Sequence, residues 1–256
     1  MGILNITPDS FYENSRSFDY NLFNKNVKKI IKSDIIDIGA ESTRPSSKPL
    51  TYIEELKRLE IVFDNMMIFK NKALSIDTYK PLVAKEALNN GFNIINDIYG
   101  GADDDMMHLA AESNVKIILM HIQGNPETMQ KNIHYDNIID DIIYYFNLRV
   151  KKAIDLGIKE SNIIIDPGIG FGKTLSDNYK IINNINRFKE LGFNLMLGTS
   201  RKSFLSINND TAADRLLNTI AANTIALLKG TDIIRVHDVD EHILLREIVE
   251  NFKKNI

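Results

Sequence analysis

About eight times along the chain, a short and nearly unbroken run of Ile, Leu, Val or Met gives way to a longer stretch whose apolar residues return at helical spacing. The short runs predict strands at 3–6, 35–38, 73–76, 93–96, 115–120, 162–165, 194–198 and 232–236. The longer stretches predict helices near 19–32, 51–68, 80–90, 104–112, 136–156, 176–191, 211–229 and 240–253. Within 211–229, for example, Ala212, Leu216, Ile220, Ala221, Thr224 and Leu227 keep helical spacing. Strands that are apolar throughout belong to parallel sheets covered on both faces, and strand–helix alternation means βαβ units. With no low-complexity linker to divide them, these units predict a single α/β domain over 1–256. It is expected to be a (β/α)8 TIM-type barrel of parallel strands; an open doubly wound sheet is the competing arrangement.

The strands differ at their two ends. The C-terminal ends carry Asn5, Asp37 to Arg44, Asp77, Asn96, His121, Asp166, Ser200 to Lys202, and Arg235 with His237, and the N-terminal ends carry nothing comparable. In a barrel the chemistry sits at the C-terminal face, so these side chains are expected to converge on one cup.

Composition narrows the function without naming it. The chain has 256 residues, 44% hydrophobic and 25% charged, which is ordinary for a globular protein with a large core. A net charge of −3 argues against a nucleic-acid groove. With no cysteine there is no disulfide or thiolate metal site. No apolar run approaches the roughly 18 residues of a membrane span, and no basic leader precedes the first strand; a cytoplasmic protein is expected.

Several motifs carry candidate chemistry, each with a plainer competitor. Asp77, Asn96 and Asp166 end three strands and suit a flat heterocycle bearing amino, ring N–H and carbonyl groups; the competing role is helix capping, most seriously for Asp77. Asn5, Arg235 and His237 end the first and last strands, which closure makes neighbours. They suit a phosphorylated anion, with Mg²⁺ sharing the site through the Asn5 oxygen; the competing role for Arg235 is a pair with Asp232 or Asp238. Lys202 lies in a strand-to-helix turn, where it suits a ligand carbonyl or ring nitrogen and the next helix N-terminus suits a carboxylate; a solvated basic turn competes. PGIGFGKT at 167–174 has Pro167 where a Walker A loop needs glycine, so its glycines are expected to turn the chain sharply beside a ligand. The segments 7–17 and 41–47, rich in Pro and small polar residues, have the composition of loops that close over a site. No His spacing matches a zinc site.

In order, GILNITPDSF, DIGAESTRP, SIDTYK, IINDI, LMHIQGNPETMQ, IIIDPGIGFGKT, GTSRKSF and IIRVHD resemble the signature blocks of dihydropteroate synthase, over residues 2–239. The resemblance implies a pterin-binding TIM-type barrel, usually a homodimer. The implied reaction joins 6-hydroxymethyl-7,8-dihydropterin diphosphate to 4-aminobenzoate in folate synthesis, with sulfonamides competing for the aminobenzoate site. By matching motif, it implies a pterin pocket of Asp77, Asn96, Ile98, Met120, Asp166, Phe171 and Lys202. The diphosphate would be held by Asn5, Thr43, Arg44, Arg235 and His237, with Asn5 near Mg²⁺. Phe11, Pro45, Lys202 and Ser203 would frame 4-aminobenzoate, and Asp77, Lys202, Arg235 and His237 would carry catalysis. Glu13 stands where the family commonly has Asp, Ala40 where it commonly has Gly, and Ser46-Ser47 where it commonly has Gly-Ala. Met1 almost adjoins the first strand, where relatives have preceding residues, which leaves closure of the barrel bottom open. A methyltetrahydrofolate methyltransferase would share the barrel without the combination of TPDSF, STRP and SRKS. A catalytically silent pterin-binding paralogue would be expected to lack Asp77, Lys202, Arg235 or His237.

Overall fold

A computed structural model describes residues 1–7, 20–42, 47–207 and 209–255. Its strands are β1 (Gly2–Asn5), β2 (Ile35–Gly39), β3 (Ala73–Asp77), β4 (Ile94–Asp97), β5 (Lys116–Met120), β6 (Ile163–Asp166), β7 (Asn194–Leu197) and β8 (Ile233–Ile234). They pair in chain order, and every pair is parallel. The last strand returns to the first: Gly2 bridges Val236, Ile3 N donates to Val236 O at 3.0 Å, and Val236 N donates to Met1 O at 2.9 Å. The sheet is therefore the predicted (β/α)8 barrel, closed at the seam between β8 and β1.

The helices are α1 (Tyr20–Ile30), α2 (Tyr52–Phe63), α3 (Pro81–Asn89), α4 (Asp104–Glu112), α5 (Ile138–Asp155), α6 (Leu175–Asn183), α7 (Ile185–Lys189), α8 (Leu216–Leu228) and α9 (Val239–Lys254). Two expected helices come out differently. The stretch 176–191 is broken at Asn184, whose backbone (φ −112°, ψ 27°) leaves the helical region while its side-chain amide donates to Lys180 O. The stretch 211–229 begins as a turn, because the Thr211 hydroxyl and amide both bond the Asp214 carboxylate, and the helix starts only at Leu216.

Side chains alternate across a strand, and this alternation sorts the barrel into two cores. Leu4, Ile36, Ile38, Leu74, Ile76, Ile95, Ile117, Leu119, Ile163, Ile165, Leu195 and Leu197 point outward into one cluster with helix residues such as Phe23, Leu59, Phe146 and Phe188. Residues of the other parity meet inside, where Met1, Ile94, Ile118, Ile164 and Met196 form a separate cluster flanked by Ile35, Ala73 and Ile233. Two residues further along the same strands stand Asp37, Asn96, Met120, Asp166 and Arg235. The interior column thus changes from hydrocarbon to charge in a single step of the pleat.

Candidate active site

The residues at the top of this column bond to one another across the barrel. Arg235, just beyond β8, donates from Nε to Asp37 Oδ2 and from Nη2 to Asp77 Oδ2, each at 2.6 Å. Asp37 Oδ2 also accepts from Asn96 Nδ2 at 3.0 Å. An ionised carboxylate only accepts, so Asp37 draws the amide NH2 of Asn96 toward itself and leaves the Asn96 oxygen to meet N–H groups from elsewhere. Asp37 is wholly buried, and its Oδ1 has no partner.

The competing roles fare unevenly. Asp77 does not cap a helix: α3 begins at Pro81 with Lys80 at the cap position and no side-chain cap. Arg235 does not pair with Asp232 or Asp238, which are taken by Lys189 and Arg201. Asp166 does serve its turn, accepting from Gly168 N at 2.8 Å. Gly168 has φ 69°, and a Cβ there would stand 2.0 Å from His121 O, so glycine is required for that turn.

Phe171 and Lys202 form one wall. The Lys202 ammonium lies 4.6 Å from the Phe171 ring centroid and donates to Ile169 O at 2.5 Å. Ile98 and Met120 are buried at the ends of β4 and β5. His237 shares a hydrogen bond with Ser200 Oγ at 2.9 Å, and Ser203 is exposed. Ser203 opens a single 3-10 turn (Ser203–Leu205), and α8 starts at Leu216, so the helix N-terminus expected beside Lys202 is not there. Asn5 ends β1, in register with Gly39. Phe11, Glu13, Thr43, Arg44, Pro45 and Ser46 lie outside the described residues.

Burial sets the electrostatics. It pushes Asp77 above the usual carboxylate range against the pull of Arg235, with the Asp37 charge adding to the push. Asp166 is raised by burial as well, with Lys202 opposing. Arg235 loses water, yet Asp37 and Asp77 more than compensate and hold its pKa above the ordinary value. Lys202 is brought down to about 8 by burial, although Asp166 opposes the shift. A second buried pair lies behind the glycine turn. Lys173 donates to Phe171 O at 2.9 Å and meets His121 Nδ1 at 3.0 Å. Burial lowers Lys173 to about 7, and burial together with that lysine lowers His121 to about 2, so the imidazole is a neutral acceptor. The cup therefore presents carboxylate and amide oxygens to a polar, N–H-bearing ring, with cations at its rim for an anion.

Residues 1–237 match the family model described as pterin binding enzyme. The chain is 42% identical over 247 residues to the dihydropteroate synthase of Clostridium beijerinckii, covering 94% of this chain and 89% of the relative.

The chain belongs to the dihydropteroate synthases.

Solved structures agree with that placement. A Yersinia pestis dihydropteroate synthase in complex with a sulfonamide drug superposes with a TM-score of 0.91 at 33% identity, covering 100% of this chain and 93% of that one. An Anaplasma phagocytophilum dihydropteroate synthase with bound 6-hydroxymethylpterin-monophosphate gives 0.88 at 33%, covering 98% and 97%.

Two buried groups of the chain have no role assigned from the sequence. Asp37 was visible as a polar strand end, and its parity matches that of Asn96 and Asp166, but nothing local reveals that it joins Arg235 to Asn96. Asp97, which follows Asn96, faces the other way and accepts from Tyr99 N and Gly101 N, each at 2.8 Å; it shapes the turn rather than the cup.

Proposed function

We propose that the cup carries out the dihydropteroate synthase reaction by a dissociative displacement. The bond from the exocyclic methylene of 6-hydroxymethyl-7,8-dihydropterin diphosphate to its diphosphate oxygen breaks, and the nitrogen of 4-aminobenzoate bonds to that carbon. The amine loses one proton to water or the departing pyrophosphate. The observation that carries this reading is the Asp37–Arg235–Asp77 chain at 2.6 Å per contact, beside Asn96, Asp166 and Lys202.

Asp77, Asp166 and the Asn96 oxygen would receive the amino and ring N–H groups of the pterin. Met120, Ile98 and Phe171 would flank its faces. The carboxylate of Asp77 would stabilise positive charge developing on the methylene. Arg235 and His237 would offset charge gathering on the leaving diphosphate, joined by Thr43 and Arg44. Lys202 would hold the pterin carbonyl or ring nitrogen and, with Ser203, Phe11 and Pro45, frame 4-aminobenzoate. An aromatic amine is neutral at pH 7, so no strong base is needed at its nitrogen.

Among the described residues no cluster of three or more His, Cys, Asp or Glu side chains suits a metal. Asn5 offers one hard amide oxygen, which fits an ion that takes most of its ligands from phosphate and water. Mg²⁺ held there with the diphosphate would supply charge neutralisation to the leaving group.

We further propose that the chain acts as a cytoplasmic homodimer. Leu244, Ile248 and Phe252 recur every fourth residue along α9 and are 62%, 56% and 63% exposed, a stripe suited to a second copy. No helix among the described residues is long and apolar enough to cross a membrane. Sedimentation of Phe252→Glu against the parent chain tests the dimer, and a parent that sediments as a monomer overturns it.

The function is tested by coupled pyrophosphate release. Release from the dihydropterin diphosphate that depends on 4-aminobenzoate is expected. No release, or release indifferent to 4-aminobenzoate, overturns the reading.

A further inference from the structure

Two buried titratable side chains have no part in the proposed reaction. Lys173 follows the glycine turn after β6, and His121 follows β5; they are 3% and 7% exposed. The Lys173 ammonium has three acceptors for its three protons: Phe171 O at 2.9 Å, His121 Nδ1 at 3.0 Å and His121 O at 3.3 Å. An ammonium only donates, so Nδ1 accepts and the imidazole proton sits on Nε2. His121 is itself fixed to the floor of the cup. Its amide donates to Asp166 O at 2.9 Å. Its ring meets the Tyr145 ring edge to face, with centroids 4.9 Å apart, and the Tyr145 hydroxyl donates to Met120 O at 3.0 Å.

The turn that Lys173 grips is satisfied at each of its carbonyls. Gly168 O accepts from Phe171 N at 3.1 Å, Ile169 O from Lys202, Gly170 O from Gln130 Nε2 at 2.7 Å, and Gly172 O from the Tyr135 hydroxyl at 2.8 Å. Gln130 is exposed and Tyr135 half-buried, whereas Lys173 reaches Phe171 O from inside the protein. The turn also lies directly against the chain leaving β5. A Cβ at Gly172 would stand 2.7 Å from Gln123 Cβ and 2.8 Å from Gln123 O. The same five residues carry the Phe171 ring and the carbonyl that receives Lys202. Where the turn rests therefore decides where that wall of the cup stands.

We infer that Lys173 is a positioning residue for the pterin ring. Through His121 and the Phe171 carbonyl it fixes the wall of Phe171 and Lys202 relative to the strand ends that carry Met120 and Asp166. Without it, Phe171 O and His121 Nδ1 lose a buried donor. The wall is then no longer set before the ring arrives, and the ligand must order it at a cost in affinity. The bonds of Lys173 stay between the end of β5 and the glycine turn, away from Arg235 and His237 at the seam, so the effect belongs to the ring half of the substrate. The inference rests on the reaction proposed above for its choice of ligand, but not for the link between turn and strand.

The test begins on the parent chain without ligand. Nitrogen-resolved NMR is expected to show His121 as a neutral ring with its proton on Nε2, and a proton on Nδ1 at neutral pH overturns the link. Affinities of the parent, Lys173→Met and Tyr135→Phe are then measured for 6-hydroxymethylpterin and for inorganic pyrophosphate. Lys173→Met is expected to weaken the pterin by about tenfold and to leave pyrophosphate within about twofold, with KM for the dihydropterin diphosphate rising more than kcat falls. Equal weakening of both ligands, as a general loosening of the fold would give, or weakening of neither, overturns the inference. Should Lys173→Met fail to fold, Tyr135→Phe removes one neighbouring bond, to Gly172 O, and is expected to show the same selectivity at about threefold. A parent chain that binds the pterin yet releases no pyrophosphate with 4-aminobenzoate would defeat the proposed reaction and leave the positioning role standing.

Discussion

The two ends of the barrel interior are built from the same strands at the same parity, and they have opposite chemistry. At the bottom, Ile94, Ile118, Ile164 and Met196 close the barrel with hydrocarbon. One pleat higher, Asn96, Met120, Asp166 and Gly198 occupy the corresponding positions, joined by Asp37, Asp77, Lys202 and Arg235. Close packing below stabilises the fold. Burial above costs stability, since three carboxylates share two cations where water is scarce. Packing and charge are therefore kept in separate layers here, about two residues apart along each strand.

Substitution separates the layers, and the largest effect belongs to the top. Asp77→Asn removes the charge proposed to stabilise the reacting methylene and is expected to lower kcat/KM by about 10²- to 10³-fold while the chain stays folded. Steady-state kinetics beside thermal unfolding reads this, and unchanged turnover would remove Asp77 from its role. Ile118→Ala at the bottom should do the reverse. It is expected to cost about 2–5 kcal/mol in denaturant unfolding, with kcat/KM of the folded fraction held within about twofold. A large kinetic loss in Ile118→Ala would mean that the layers are coupled.

The alkaline pH profile sharpens the comparison at a smaller scale. Lys202 is brought down to about 8 by burial, with Asp166 opposing. Its ammonium is therefore lost as pH rises through about 8, well below the ordinary lysine range. If the charged form holds the substrate, kcat/KM falls above that pH by up to about tenfold per unit. Lys202→Arg keeps the charge and should move this limb upward, even at lower absolute activity. A limb unmoved in Lys202→Arg would assign it to another group.

Much of this division was legible in the sequence, and the exceptions have a common cause. Runs such as Ile163-Ile164-Ile165-Asp166 announce a buried strand and a charged tip together, because both follow from local order. Barrel closure makes neighbours of the strands that end in Asn5 and in Arg235 and His237, and the seam hydrogen bonds join those strands. What stayed hidden were partnerships. Arg235 had nearby carboxylates at 232 and 238 to choose from, yet it reaches Asp37 across 198 positions and Asp77 across 158. The nearer acids were already committed to Lys189 and Arg201. Lys80 likewise finds its two carboxylates 39 and 25 residues away, beyond the reach of local order. The helix boundaries that shifted, at Asn184 and at Thr211 to Asp214, were decided by side-chain bonds to nearby backbone, which apolar periodicity does not register.

The smallest effect is also the most discriminating, because its sign is in question. Asp77 touches Arg235 at 2.6 Å, and taken alone that contact predicts a stabilising ion pair. Burial and Asp37 push the other way and raise the Asp77 pKa above its unfolded value. A carboxyl raised on folding binds its proton more tightly in the native state. The cost of ionising it is absent below the unfolded value of about 4, grows as pH rises from there and is complete above the folded value. Asp77→Asn should therefore be more stable than the parent near neutral pH, by on the order of 1 kcal/mol, with the gain fading as pH falls toward about 4. Were the ion pair the stronger influence, the variant would be the less stable protein at neutral pH, and its deficit would hold down to about pH 4 and shrink only below that value. Denaturant unfolding of both chains at several pH values between neutral and acid decides between them through the sign of one difference.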